Sequence, residues 1–439
     1  MIGGRTRLSL VEYGAPVDLC LTIAEATGLD RGRVIQMLDE TGARVASSLG
    51  FKANPISVDA KGARVVDVAG LIRLGPSLEL EIAPKFLGLD DADARWREDF
   101  FFLSTLSRHG RLLASERMSA SGGAPRDLSV LVARALVDMY QARKRRPLRS
   151  YRRVKEMGFF IDGDPDPVDL LFPEPDGFEQ EVIRFDRRNA WNGTISAAAQ
   201  ELLPEVSEAA TAAKLTRVIE DLAPQSRPNI AMRKPIPARH RTWQSLHDLS
   251  VDVLKGLGLT YKQGQAHAPG YVVSTWQIWE DFLTIASRIA FGRLAVSAQK
   301  GFVLGSRIRP AVGRAPRKLN VYPDFIIEGD GTRPRFLLDA KYKGKVEGGT
   351  LRIVEADVYE AMAFAKATRC NHVVLAYPAP PDEPPNSPGS CMVFERVTID
   401  HVHVVGIQVE IRGISRKGAL KRFAENLSVG LLAALATIT

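Results

Sequence analysis

The chain has 439 residues, a formal net charge of +8 and 45% hydrophobic residues, enough for two or three packed domains. Its three cysteines, Cys20, Cys370 and Cys391, form no C-x-x-C pattern, which excludes a disulfide framework and a cysteine-rich zinc site. It carries no signal-peptide pattern, no membrane-length apolar run and no G-x-x-x-x-G-K-[ST] phosphate loop. A cytoplasmic protein with no membrane partner and no nucleotide site of that kind is expected.

The expected fold class is α/β and multidomain, with a mixed β-rich and helical region first and a C-terminal α/β domain around a central mixed sheet. Residues 1–135 make the first region. They hold strand-like runs at Arg7–Tyr13, Ala63–Ala69, Leu71–Leu74 and Leu78–Ile82, interrupted by a helix over about 30–47. Residues 97–142 and 193–222 read as helical, and 136–225 forms a basic and helical middle region. Within it, Arg143, Lys144, Arg145, Arg146, Arg149, Arg152, Arg153 and Lys155 place eight cations in thirteen residues. Such density attracts phosphates and suits DNA contact, with a solvated helix end or a surface for an acidic partner as the alternatives. The Pro-rich, basic stretch at 226–241 reads as a linker to a last domain, 242–439.

That domain opens with a helix from Ser274 to Ala290, where Ser274 and Gln277 have capping-box spacing. Trp276, Trp279, Leu283, Ala286 and Ala290 form its apolar stripe, flanked by Phe282, Ile285 and Ile289. Glu280 falls on the same face. A buried carboxylate needs a partner, so Glu280 either finds one or lies at the edge reaching solvent or an arginine.

A hairpin follows. Val321–Glu328 and Arg335–Tyr342 flank a turn centred on the Gly331–Thr332 bond, and Asp324 and Asp339 are symmetric about that centre. The symmetry sets them opposite each other, and the two-residue period puts Lys341 on their face. Phe325, Ile327, Phe336, Leu338 and Ala340 make the other, apolar face. Two carboxylates and a lysine on one side of a strand pair suit a divalent cation, whereas a surface hairpin with a cross-strand Asp–Lys pair is the plainer alternative. A helix from Val354, a strand His372–Pro378, a loop Pro378–Ser390 with six prolines, a strand Val404–Ile411 and a helix Ala419–Ala436 complete the chain. His401 and His403 could share a strand face.

Pro323-Asp324 followed by Asp339-Ala340-Lys341 resembles the PD-(D/E)xK nucleases. That resemblance implies a restriction-endonuclease-like α/β domain and a catalytic set of Asp324, Asp339, Lys341 and Glu280. It further implies Mg²⁺, with Mn²⁺ able to substitute, held by Asp324, Asp339, the carbonyl of Ala340 and Glu280, while Lys341 orients or activates water and balances phosphate charge. Three further segments resemble the McrC family: Gly70 to Phe86 with its Ile82-Ala-Pro-Lys-Phe run, Ile183 to Ile195 with an Asp and an Asn before a long helix, and Asp357 to Ala365. In that last helix the family usually has Gln after the Tyr, where this chain has Glu360.

The resemblance implies an endonuclease subunit of a modification-dependent restriction system. Its partner would be an McrB-like AAA+ GTPase or ATPase ring docked by residues 1–135, and its substrate double-stranded DNA, modified or foreign, cut by two copies together. A self-sufficient nuclease of repair or recombination, or a non-catalytic activator of an AAA+ motor, are the other readings.

Overall fold

The computed structural model describes residues 6–59, 61–75, 78–89, 95–109, 128–206, 208–222, 236–254, 271–308, 316–329, 334–347, 350–381 and 384–436. The turn expected about the Gly331–Thr332 bond and most of the 226–241 linker lie outside these residues. The fold is mixed α/β with several sheets, organised as two compact units. One joins Met1–Arg126 to Val272–Thr439, and the other is Asp127–Tyr271. Among the described residues no helix is long and apolar enough to cross a membrane.

Two sheets build the first unit. The N-terminal sheet runs Thr6–Val11, Leu78–Ala83, Val68–Gly75, Tyr271–Ser274. Thr6–Val11 lies parallel to Leu78–Ala83, which turns back antiparallel onto Val68–Gly75. Every position of Leu78–Ala83 is buried, including Glu79 and Glu81. Buried carboxylates persist only when paired: Arg7 meets Glu79 at 3.0 Å, and Arg97 grips Glu81 with both arms at 2.5 Å. The single run expected at Ala63–Ala69 is broken at Asp67, whose φ of 60° divides strand Gly62–Val65 from Val68–Gly75. Asp30 caps helix Arg31–Leu49 by accepting from the Arg33 amide, and Gly50 ends it at φ 72°.

The larger sheet has six strands in the order Val296–Ala298, Phe325–Glu328, Pro334–Ala340, His372–Pro378, Val402–Val409, Cys391–Ile399. The three central strands are mutually parallel and the flanking pairs antiparallel. Parallel strands bury both faces. On one face lies helix Thr275–Phe291, whose Phe291 meets Phe336 edge-on at 5.8 Å and whose Phe282 meets Phe423 of helix Ala419–Ala436 at 4.7 Å. On the other, helix Glu355–Thr368 packs Val358, Ala361 and Phe364 onto Ile326, Leu337, Val373 and Leu375. The face expected to carry Asp324, Asp339 and Lys341 also holds Ile326 and Leu337 in the core.

The apolar stripe of helix Thr275–Phe291 differs from the expected one. Thr275, Ile278, Trp279, Phe282, Leu283 and Ala286 are buried, whereas Trp276 and Ile289 are exposed. Ser274 occupies the N-cap without a capping hydrogen bond from its side chain.

The second unit packs helices Leu128–Arg143, Ala190–Leu202, Ala209–Leu222 and Gln244–Leu254 and carries a sheet of Ser150–Gly158, Phe178–Asp186 and Asp164–Pro165. Its Asp and Asn before the long helix are capping devices. Asp186 accepts from the Arg188 amide, Asn189 accepts from the Asn192 amide, and Asn192 donates to the Leu148 and Arg187 carbonyls. The basic run begins at the end of Leu128–Arg143 and continues into strand Ser150–Gly158. There Arg152 pairs with Asp186, Arg153 with Glu181 and Lys155 with Glu179, at 3.1, 3.2 and 2.5 Å. Arg143 donates to the Thr242 and Met139 carbonyls. Lys144, Arg145, Arg146 and Arg149 are exposed. Cross-strand acids thus pair three of the run's eight cations, those on the strand.

Candidate active site

The hairpin register is the one its symmetry predicts. Phe325 faces Leu338, Ile326 faces Leu337 and Ile327 faces Phe336, which carries Asp324 opposite Asp339. A bulge at Glu328 shifts the register only beyond this point. Asp324 lies just before its strand, and the Ala340 amide donates to its Oδ2 at 2.9 Å. Pairing with the neighbouring parallel strand continues past Ala340, since the Lys341 amide donates to the Ala376 carbonyl at 2.9 Å. Lys341 Nζ then reaches Asp339 Oδ2 at 2.7 Å, Glu360 Oε2 at 2.7 Å and Asp357 Oδ1 at 3.6 Å. Asp357 and Glu360 come from helix Glu355–Thr368, and Tyr377 OH donates to Asp357 Oδ2 at 3.1 Å.

Glu280 arrives from helix Thr275–Phe291, which Trp279 Nε1 ties to the sheet through the Ala376 carbonyl at 3.1 Å. Glu280 is half-buried, and its partner is an amide side chain, not an arginine. Gln299 Nε2 donates to Glu280 Oε1 at 2.7 Å and to Asp324 Oδ1 at 2.9 Å, and the Gln299 amide N donates to the Asp324 carbonyl at 3.0 Å. Gln299 does this from a left-handed backbone, φ 52°, in the connection after strand Val296–Ala298. Such a conformation is uncommon outside glycine and is held here by the site it serves.

The electrostatics are those of crowded, desolvated carboxylates. Burial, reinforced by the Asp324 charge, pushes the Asp339 carboxyl up to about 7. Burial and then Glu280 raise Asp324. Burial raises Glu280 as well, against the pull of the Gln299 hydrogen bond. Burial alone would lower the Lys341 ammonium, but Asp339 and Glu360 outweigh it and hold it above its ordinary value. Lys341 is therefore a fixed cation, not a proton acceptor. Hard oxygens with raised proton affinity are the donor set that a divalent cation relieves. Asp324, Asp339 and the Ala340 carbonyl suit such an ion, with Glu280 separated from it by the Gln299 amide. Among the described residues no three His, Cys, Asp or Glu side chains converge closely enough to enclose a metal without adjustment.

Two residues beside this site were not anticipated. Glu12, fully buried after strand Thr6–Val11, accepts from Thr275 Oγ1 at 2.6 Å, from Tyr342 OH, and from the Lys85 amide at 3.4 Å. Lys85 Nζ donates to the Tyr342 carbonyl and stands over the Tyr342 ring, 4.3 Å from its centroid. Lys85 is the lysine of the Ile82-Ala-Pro-Lys-Phe run, so that run's spacing was the available signal. Tyr342 follows Lys341, and Thr275 starts the Glu280 helix. The N-terminal sheet thus clamps the backbone at both sources of site residues.

The two histidines part company. His401 is exposed in the turn before strand Val402–Val409, and the His403 ring stacks on His372 with centroids 5.5 Å apart.

A chain of the structure described as the refined half-complex from the tetradecameric assembly of Thermococcus gammatolerans McrB AAA+ hexamers with bound McrC superposes on this one with a TM-score of 0.59. The match has 14% identity and covers 97% of this chain and all of that one. A chain of the cryo-EM Thermococcus gammatolerans McrBC complex matches at a TM-score of 0.45 and 12% identity, over 64% of this chain and 86% of its own. No curated protein matches in sequence. Residues 63–378 match the family described as McrBC 5-methylcytosine restriction system component, a span running from the N-terminal sheet through both halves of the hairpin site. The chain belongs to the McrBC family of restriction system components.

Proposed function

We propose that this chain is the DNA-cutting subunit of an McrBC-type restriction system, a metal-dependent endodeoxyribonuclease of PD-(D/E)xK type. The observation that carries this reading is the meeting of Asp324, Asp339 and Lys341 at one end of the hairpin, with both carboxyls raised in proton affinity. Asp324, Asp339 and the Ala340 carbonyl would hold Mg²⁺, and Glu280 would join them if the Gln299 amide turned aside. When bound, the ion supplies charge neutralisation at the phosphate and acidifies a water. Lys341, kept protonated by Asp339 and Glu360, contributes positive charge toward the phosphate and orients the attacking water. Asp357 and Glu360 keep the ammonium in place while substrate is absent.

The Thermococcus complex pairs McrC with McrB AAA+ hexamers, and we assign this chain a partner of the same kind. The sequence has no phosphate loop of its own, which fits that division of labour. Phe159, Phe160, Ile161, Leu171 and Phe172 are more than half exposed in the second unit, a concentration of apolar surface that suits a docking site for the ring. It lies beyond the 1–135 segment first expected to dock the motor. The substrate in this reading is double-stranded DNA carrying a modified base, with two copies needed to cut both strands.

The test is cleavage of methylated duplex DNA by the chain plus its AAA+ partner, Mg²⁺ and nucleotide. Asp339→Ala is expected to abolish cutting while leaving stimulation of the motor's nucleotide hydrolysis intact. Cleavage that survives Asp339→Ala removes the site assignment. Efficient cutting by the isolated chain with Mg²⁺ alone makes it a self-sufficient nuclease.

A further inference from the structure

Between Gln299 and Asp324 the central sheet is interrupted by a separate two-stranded ribbon, Phe302–Arg307 paired antiparallel with Arg317–Val321. Its base is anchored. Phe302 and Val321 face each other and pack on the core beneath helix Glu355–Thr368. The neck is closed by the Gln299 amide on the Asp324 carbonyl, so both ends of the ribbon emerge from residues of the candidate site. The outer part is exposed, from Gly305 to Arg307 on one strand and Arg317 to Asn320 on the other.

Its charge is one-sided. From Gln299 to Pro323 the sequence has six cations and no acid, whereas the chain average, 51 acids in 439 residues, would place about three in such a stretch. Arg307 and Arg317 are direct cross-strand partners, and Lys318 stands opposite Ser306. Like charges facing each other weaken a ribbon. Among the described residues neither arginine nor Lys318 meets a carboxylate within ion-pair distance. The contrast with strand Ser150–Gly158 is sharp, since there each of Arg152, Arg153 and Lys155 has a cross-strand acid. A destabilising cationic face kept free of acids calls for an anionic partner outside the chain.

The spacing suits duplex DNA. Arg317 stands four residues out from Val321, roughly 13 Å at strand rise. That distance is about four steps along a duplex at ~3.4 Å per step. Cations at that reach would meet the backbone of a duplex whose phosphate is held at Asp324 and Asp339. We propose that this ribbon is a phosphate-backbone arm for double-stranded DNA, with Arg307, Arg317 and Lys318 as its contacts. The proposal rests on the nuclease reading for its choice of polyanion, and the two fail separately.

The experiment uses the full chain and fluorescence-labelled duplex DNA, with EDTA present so that no cutting occurs, and follows anisotropy from low to moderate salt. Replacing three phosphate contacts, Arg307→Ser with Arg317→Ser and Lys318→Ser, is expected to lower the slope of log affinity against log salt by about 2.7. Affinity at the lowest salt should drop at least about tenfold. Arg317→Lys, which keeps the charge, should leave the slope unchanged, and all variants should melt no lower than the unaltered chain. An unchanged slope in the triple variant, or no binding by the unaltered chain at low salt, overturns the proposal. Loss of AAA+ stimulation with DNA affinity intact also overturns it and makes the ribbon a motor contact. Cleavage that survives Asp339→Ala removes the site assignment, and a complex that never cuts removes the nuclease reading; with the salt effect present, either result leaves the arm standing.

Discussion

Burial and the Asp324 charge both oppose ionisation of Asp339 and push its carboxyl up to about 7. A cation binding there competes with that proton. Mg²⁺ affinity, measured by calorimetry on the unaltered chain, should therefore weaken progressively as pH falls below about 7 and level off above it. Mg²⁺ at a hundredfold excess over its Kd should also stabilise the fold by about 2.7 kcal/mol, and this gain should vanish in Asp339→Ala. An affinity that is flat from pH 6 to 8 would remove Asp339 from the ligand set. Glu360 presents the converse case. It is half exposed and adds negative charge beside Lys341, where a DNA phosphate would approach. Glu360→Gln should lower the KM for DNA about twofold to threefold with little change in melting temperature, because Asp339 still pairs the ammonium. Steady-state cleavage at varied DNA concentration reads this out, and a raised KM would show that the carboxylate itself is needed.

At the scale of elements, the Glu12 cluster joins the N-terminal sheet to the hairpin and the site helix. Burial raises Glu12 to about 7 although Thr275 and Tyr342 donate to it, and burial lowers Lys85 to about 8 against the pull of Glu12. The folded state binds the Glu12 proton more tightly than the unfolded chain does. Its contribution is thus complete below about 4.5 and fades as pH rises to about 7. Lys85 acts in the opposite sense, since the unfolded chain binds its proton more tightly between about 8 and 10.5, so stability returns across that window. Urea denaturation should show a shallow minimum near pH 7–8. Glu12→Gln should reduce the fall between pH 5 and 7, leaving the part that Asp339 contributes, while costing roughly 1–3 kcal/mol at pH 5 through imperfect hydrogen bonding to Thr275 and Tyr342. A variant that keeps the fall would assign it to other carboxylates.

The elements also show what could be read in advance. The facing of Asp324 and Asp339 was legible because strand pairing is a mirror operation on sequence: equal distances from a turn become a contact. Glu280 could be flagged as a carboxylate needing a partner, but the partner could not be named. Gln299 reaches it from a left-handed turn, and no periodicity announces one. The stripe of helix Thr275–Phe291 was displaced because Trp276, read as core by its hydrophobicity, faces outward, leaving Ile278 to fill the interior. The basic run illustrates the limits of local charge. Its acids lie some thirty residues downstream on the paired strand, so only the register of Ser150–Gly158 with Phe178–Asp186 reveals them. Glu12 and Tyr342 are 330 residues apart in the chain, beyond any local pattern.

For the whole molecule, the proposed docking of the motor on the apolar surface of the second unit can be tested directly. Phe160→Asp with Phe172→Asp should remove stimulation of the AAA+ partner's nucleotide hydrolysis without moving the melting temperature, because both rings are already largely exposed. Coupled nucleotide assays and gel filtration with the partner would detect it, and undiminished stimulation would place the ring elsewhere.

The same organisation governs how the protein emerges from the ribosome. Residues 127–271 form a continuous stretch able to fold as soon as it is complete, whereas the sheet begun at Thr6 gains its last strand only when Tyr271–Ser274 has been made. At about 5–20 residues per second, the nascent N-terminal strands wait roughly 10–40 s with an open edge at Val68–Gly75. Over that interval they are exposed to chance pairing with other nascent chains, and chaperone occupancy should peak then.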